Sequence, residues 1–270
     1  MPRRLEKTLR NWKLRDYTLR IMPGSYVIKD LATVDPDSLP ITIRVGKPNP
    51  NGKGRSMWIN CDDKTLAILT PKTRAPFGVS KFEETANKWD VSLNVDADTP
   101  EMTNLVAIIQ RIENDIIEHV FENQSSYFKG EPVSKEVITS RFTKMLKTSA
   151  SYPTKITGKV YERDGLMQCA FFNSAKEQVE HSDIQRGDTV RALIEIGPSC
   201  WVMDKSFGCI IKAVQVRSFG EGGDQDMDSG GCMIDDDEDQ PEPKRAKLED
   251  PGTPEPEPQQ EEPEMVSAAA

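Results

Sequence analysis

One helical pattern sits in the middle of a chain that otherwise reads as strands, and that placement limits the fold more than any other feature. Thr99, Pro100 and Glu101 supply a capping hydroxyl, a proline for the first turn and an acid at the positive end of the dipole. Met102, Leu105, Val106, Ile109, Ile112, Ile116 and Val120 follow at spacings of three and four. Arg111, Asn114, Asp115 and Glu118 take the other side. This pattern predicts an amphipathic helix of about six turns. After Gly130 and Pro132, Ser134 opens a second helical pattern carrying Val137, Ile138, Phe142, Met145 and Leu146.

Short strand patterns flank this insertion on both sides. Before it come "ITIRV" (41–45), "SMWINC" (56–61), "TLAILT" (65–70) and "WDVSLNV" (89–95). They are rich in β-branched and aromatic residues and are separated by Pro, Gly, Asn and Asp. After it come "TKITGKVYE" (154–162) and "LMQCAFFN" (166–173), joined through Arg163, Asp164 and Gly165. Asp-Gly favours the positive φ angles of a tight hairpin turn. "DTVRALIEI" (188–196), "SCWVM" (199–203) and "GCIIKAVQVR" (208–217) complete the series. Neither β-rich half is large enough to bury a core alone. The expectation is one α+β domain over residues 1–219, a closed or nearly closed β-barrel with two inserted helices at about 100–148.

Composition matters at the boundary that follows. To Gly220 the chain holds 32 Lys+Arg against 27 Asp+Glu, and from Glu221 it holds 3 against 17. A mildly basic body therefore carries a strongly acidic tail. Residues 220–270 are dominated by Gly, Asp, Glu, Pro and Gln, and no aromatic residue follows Phe219. Such a segment cannot bury enough apolar surface to offset its ordering entropy, so it is expected to be disordered. Tethered beside a basic groove, this polyanion is expected to compete weakly with a longer polyanion. The plainer expectation is a solubilising tail.

Signatures of enzymatic chemistry are missing. There is no G-x-S-x-G, no Walker loop and no H-E-x-x-H. His119 and His181 are the only histidines, and Cys61, Cys169, Cys200, Cys209 and Cys232 include no C-x-x-C pair. The expectation is a non-enzymatic protein without cofactor or metal, its cysteines reduced thiols, four of them in apolar or strand-like runs. No apolar run is long enough for a membrane span, and the N-terminal sequence lacks a secretory apolar segment. A reducing compartment, cytosol or nucleus, fits best.

What remains is a pattern of cations and rings on the strand segments. "GKPNPNGKGRSMW" (46–58) brings Lys47, Lys53 and Arg55 to Trp58. "PKTRAPFGVSKF" (71–82) supplies Lys72, Arg74, Phe77 and Lys81. Lys88 precedes Trp89, while Tyr152 and Lys155 lead into the strand holding Lys159 and Tyr161. Single-stranded nucleic acid is held by this mixture, with cations along the phosphates and rings on which bases stack. The competing reading places the rings in the core and the cations on a solvated surface. Trp58 and Trp89 are the best stacking candidates of the first half, because each adjoins basic sequence.

"PVSKEVITSRFTKMLKTSASYPTKITGKVY" (132–161) and "GDTVRALIEIGPSCWVMDKSFGCIIKAVQVRSF" (187–219) resemble the C-terminal half of the single-stranded DNA-binding proteins of nucleocytoplasmic large DNA viruses. The likeness lies in a helix, a Tyr-Pro leading into a Lys-bearing strand, a Gly-Asp-opened strand, a strand centred on Trp and a final Phe-Gly strand. "MWIN" and "KTLAILTP" add a weaker likeness. The resemblance implies an OB-like barrel with added elements, binding single-stranded DNA without sequence preference in viral replication, recombination or repair. Bacterial and phage proteins of the same function carry acidic tails that recruit partners, so replication proteins are expected as partners through the tail, although "MVSAAA" lacks the terminal aromatic residue of the bacterial type. "PKRAKLED" (243–250) resembles a monopartite nuclear localisation signal. Lys244, Arg245 and Lys247 would then engage an import receptor and place the protein in the host nucleus, with the cytoplasm as the alternative. Rival readings are an acidic-tailed chaperone or scaffold that engages basic partners, and an RNA-binding protein on the same barrel. Binding to histones would mark the first, and the 2′-hydroxyl would decide the second.

Overall fold

The computed structural model describes residues 25–28, 30–48, 54–81, 87–96, 98–203 and 205–220. Lys53, Cys232, the acidic tail and its cluster of Lys244, Arg245 and Lys247 lie outside the described residues. Two 14-residue strands form the spine, β13 (Thr189–Val202) and β14 (Phe207–Gly220), paired antiparallel. Their length follows from sequence that alternates apolar residues with few breaks.

Shorter strands line the outer edges of this spine. Along β13 lie β3 (Arg55–Cys61), β4 (Leu66–Leu69) and β5 (Thr73–Arg74), all antiparallel to it. Beyond them sit β2 (Ile41–Pro48) on β3 and β1 (Tyr26–Ile28) on β4. Along β14 lie β8 (Phe142–Thr143), β9 (Lys155–Arg163) and β11 (Ala170–Phe172), all parallel to it. β7 (Lys88–Asn94) pairs with β9, and β6 (Val79–Lys81) with β7. Among the described residues these strands, with β10 (Leu166–Met167) and β12 (Gln178–Val179), form one 14-stranded sheet.

Residues 75–78 connect β5, on the β13 edge, to β6, at the far end of the strand order. Four residues span little more than about 15 Å, so the sheet must curl to bring those edges together. Pro76 and Gly78 take the second and fourth places of a turn closed by Gly78 N–H donating to Ala75 O at 3.2 Å. Gly78 has φ +58°, and a Cβ there would stand 2.6 Å from Ile184 O, so only glycine fits. Across the gap the Thr73 hydroxyl donates to Asn94 O at 2.5 Å. Among the described residues the main path of the ladder runs from β1 to β6 and does not close on itself. The fold is α+β as expected, whereas the sheet of described residues is not the closed barrel expected: the Thr73 bond ties β5 to β7 without completing the ladder.

The hairpin turn forms where Asp-Gly stands. Asp164 and Gly165 have φ of 54° and 73°, and Leu166 faces Arg163 across them. The partner strand is shorter than the sequence implies. β10 ends at Met167, and the chain then crosses to β14, where Phe171 and Phe172 are buried.

Helix α1 (Pro100–Glu122) starts at Thr99, whose hydroxyl accepts from Met102 N–H at 3.2 Å. Met102, Leu105, Ile108, Ile109, Ile112, Ile116 and Val120 are buried against the sheet. The other face carries more structure than a solvated side would. Asn104 donates to Leu31 O at 2.7 Å, and Arg111 donates to Pro36 O and Leu39 O, pinning the segment before β2. After α2 (Gln124–Tyr127), helix α3 (Lys135–Arg141) is shorter than the sequence pattern, since Phe142 and Thr143 already form β8.

Met145 and Leu146 are buried outside any helix. Their N–H groups donate to the buried Glu113 carboxylate at 2.5 and 3.1 Å. A side chain replaces the helical acceptors, because β8 pairing with β14 has redirected the backbone. Glu113→Ala leaves two buried amides without that acceptor. The expected cost is about 2–3 kcal/mol, to be read from urea unfolding at constant m.

Candidate nucleic-acid interface

Period-two alternation decides which strand side chains reach the outside. On β9, Ile156, Gly158 and Val160 are buried, and Lys155, Thr157, Lys159 and Tyr161 take the opposite face. On β7, Trp89, Val91 and Leu93 face the core. The register sets Lys88 opposite Tyr161, Asp90 opposite Lys159 and Asn94 opposite Lys155. The two strands thus share one outer face of cations, a phenol, a carboxylate, two hydroxyls and an amide.

At the Asn94–Lys155 end this face runs into a cavity of about 560 Å³. The tight turn at 75–78 lifts Phe77 to 47% exposure, and Tyr152 stands 74% exposed before Pro153. Arg74 and Lys155 join them, and Lys155 Nζ lies 4.7 Å from the Phe77 ring centroid. Arg186 completes the wall. The sequence reading missed it, because it stands in a polar turn with no ring nearby. Two open rings and three cations on one cavity suit a chain of stacked bases and phosphates.

At the other end of the face, Lys88 Nζ lies 5.8 Å from the Tyr161 ring centroid. Burial, then the nearby Asp90, raises the Tyr161 phenol above its usual pKa, so it stays neutral. Lys159 departs from expectation as a phosphate ligand. Its Nζ meets both Asp90 oxygens at 2.7 and 2.8 Å with the side chains only 27% and 19% exposed. Its charge is already engaged.

A second group lies on β2 and β3. Trp58 is 46% exposed and faces Arg44 across the strands. Lys47, Pro48 and Asn60 line a cavity of about 560 Å³ with them. Arg55, expected beside Trp58, shares instead the side of β3 that holds buried Met57. It is half-buried there and acts on Tyr127. Burial, then Cys200, pushes that phenol up to about 12, and Arg55 lowers it somewhat.

Trp89 is a correction. It is 9% exposed, packed edge-on to His181 at 5.6 Å between centroids. A ring inside the core offers no face to a base. Lys81 lies at the edge, 5.7 Å from that ring's centroid. Lys72 is half-buried, 4.7 Å from the centroid of the Phe219 ring. Neither belongs to the two cavities. Cys61, Cys169 and Cys200 are buried and Cys209 is half-buried, all four as free thiols.

A model described as a family of unknown function (DUF5871) matches residues 86–228, more than half of the chain. A search of the curated proteins finds no match. Among solved structures, gp2.5, a single-stranded DNA-binding protein encoded by bacteriophage T7, is similar over 62% of this chain and 91% of its own, at 13% identity and a TM-score of 0.41. The single-stranded DNA-binding protein from bacteriophage Enc34 is similar over 71% and 96%, at 13% identity and a TM-score of 0.36. The same phage protein in complex with single-stranded DNA is similar over 69% and 99%, at 12% identity and a TM-score of 0.35.

Proposed function

This chain belongs to the family of unknown function (DUF5871), and we propose that it binds single-stranded DNA without sequence preference. The observation that carries this reading is the cavity where exposed Phe77 and Tyr152 meet Arg74, Lys155 and Arg186. Rings stack on any unpaired base, whereas a duplex hides the base faces, so the arrangement favours a single strand. The lining provides cations for phosphates and few groups that would read a base edge.

The scaffold that accompanies this reading is an OB-like barrel over residues 1–219, supported by the contact of Thr73 on β5 with Asn94 on β7. The wider role, in replication, recombination or repair of a large DNA virus, rests on the sequence resemblance. Recruitment of replication proteins through residues 220–270, and nuclear import through Lys244, Arg245 and Lys247, rest on the sequence alone.

The test is an anisotropy titration of the full chain with oligothymidine, a duplex of equal length and the matching RNA. The expected order puts single-stranded DNA above duplex. Affinity should fall with salt at a log–log slope of about −0.7 per neutralised phosphate, or about −2 for Arg74, Lys155 and Arg186 together. Equal affinity for duplex would refute the proposal, and tighter binding to RNA would move the function to RNA.

A further inference from the structure

The second cavity is larger in consequence than its exposed Trp58 alone implies. β3 and β13 pair so that Ser56 stands opposite Trp201. Trp58 is therefore the diagonal neighbour of Trp201, at a Cβ separation of roughly 7 Å, within reach of large rings. Both indoles leave the sheet on the same side. On β3 the buried residues are Met57, Ile59 and Cys61, and on β13 they are Cys200 and Val202. Trp58 and Trp201 hold the alternate positions.

Trp201 has a built seat. A Cβ on Gly208 would lie 3.1 Å from Trp201 Cζ2 and 3.2 Å from Thr143 Cβ. The six-membered ring thus lies tight against the place a side chain at position 208 would take, and rests over β14. Trp201 is half-buried by this seat, and Trp58 beside it is 46% exposed. Arg44 faces Trp58, and its ion pair to Asp63 at 2.6 Å has side chains 63% and 75% exposed. So exposed a pair is weak and yields readily to a phosphate. Lys47 and Asn60 stand on the same cavity.

We propose that Trp58 and Trp201 form a second base-stacking platform, with Arg44 and Lys47 as its phosphate contacts, on which consecutive unpaired bases of the same DNA strand rest. This rests on the single-stranded DNA reading above and adds to it a second contact cluster on β2, β3 and β13. A core role does not explain Trp58, which is open to solvent. Two linked contacts also predict a length effect. An oligonucleotide long enough to reach both clusters gains from the second as an intramolecular event, and a shorter one does not.

The experiment uses the full chain and labelled oligothymidines of increasing length. Trp58→Leu and Trp201→Leu should each weaken binding of the long strand by roughly 5- to 150-fold, the range given by one lost stack. Binding of the shortest strands through the Phe77 cavity should change much less. Gly208→Ala, which keeps both indoles but crowds the seat, should weaken long-strand binding in the same direction. Trp58 is exposed enough that its variant should melt like the wild type. Trp201→Phe, which keeps a ring, should fall between wild type and Trp201→Leu and guards against a folding artefact. If Trp58→Leu and Trp201→Leu bind every length as the wild type does, while Phe77→Ala does not, the platform is overturned and the function stands. Failure of the wild type to bind any single strand removes both.

Discussion

Replacing Phe77 and Tyr152 together with alanine lowers affinity for oligothymidine by roughly 30-fold or more, at two lost stacks of at least about 1 kcal/mol each. The melting temperature stays close to that of the wild type. The rings are 47% and 74% exposed, so their removal opens no cavity in the core. The expected losses divide in a specific way. Phe77 also carries Lys155 over its ring at 4.7 Å, so Phe77→Ala frees that ammonium and leaves the salt slope intact. Lys155→Ala removes a phosphate contact and makes the slope shallower, by about 0.7. Anisotropy titrations at several salt concentrations separate the two. If the double variant binds as the wild type does, the cavity is not the binding site.

The strand alternation was legible in the sequence, and it already contained the answer for each tryptophan. In "SMWINC" the apolar phase is set by Met57, Ile59 and Cys61, which turns Trp58 outward. In "WDVSLNV" the phase is set by Val91, Leu93 and Val95, which turns Trp89 inward. Trp89 adjoins Lys88 in the sequence, but neighbours along a strand point to opposite faces, and phase is the better guide. The same rule sets Arg55 with Met57 and away from Trp58.

Other features had no local signal. Arg186 reaches the Phe77 cavity only because β5 pairs with the start of β13, a contact between residues 73–74 and 189–190. Long-range pairing also ended the second helical pattern early. Phe142 and Thr143 gain ladder partners on β14 at Phe207 and Gly208, and Glu113 then satisfies the two amides that follow. The apolar spacing of Phe142, Met145 and Leu146 reported burial correctly, since all three are buried, but not the helix. Tertiary pairing overrode the local period there. The pairing of Lys159 with Asp90 was equally hidden, because it depends on the β7–β9 register.

Trp89→Ala gives the opposite result to the Phe77 and Tyr152 variants. The indole is buried on the core face of β7, opposite Val160 and against the His181 ring. Truncating a buried Trp to Ala costs about 3–5 kcal/mol through lost burial and the cavity left behind. For a domain of this size that lowers the melting temperature by roughly 6–20 °C. Trp89→Phe retains most of the buried ring and should lose much less. Affinity for oligothymidine, measured well below the lowered melting point, should stay within about threefold of the wild type, less than the loss of one stack. The reason is geometric. Lys88 and Asp90, on either side of Trp89, belong to the outer face, and Lys155 and Arg74 hold the cavity from other strands. A large loss of affinity with an unchanged melting temperature would return Trp89 to the binding surface and show that β7 presents its other face to the strand.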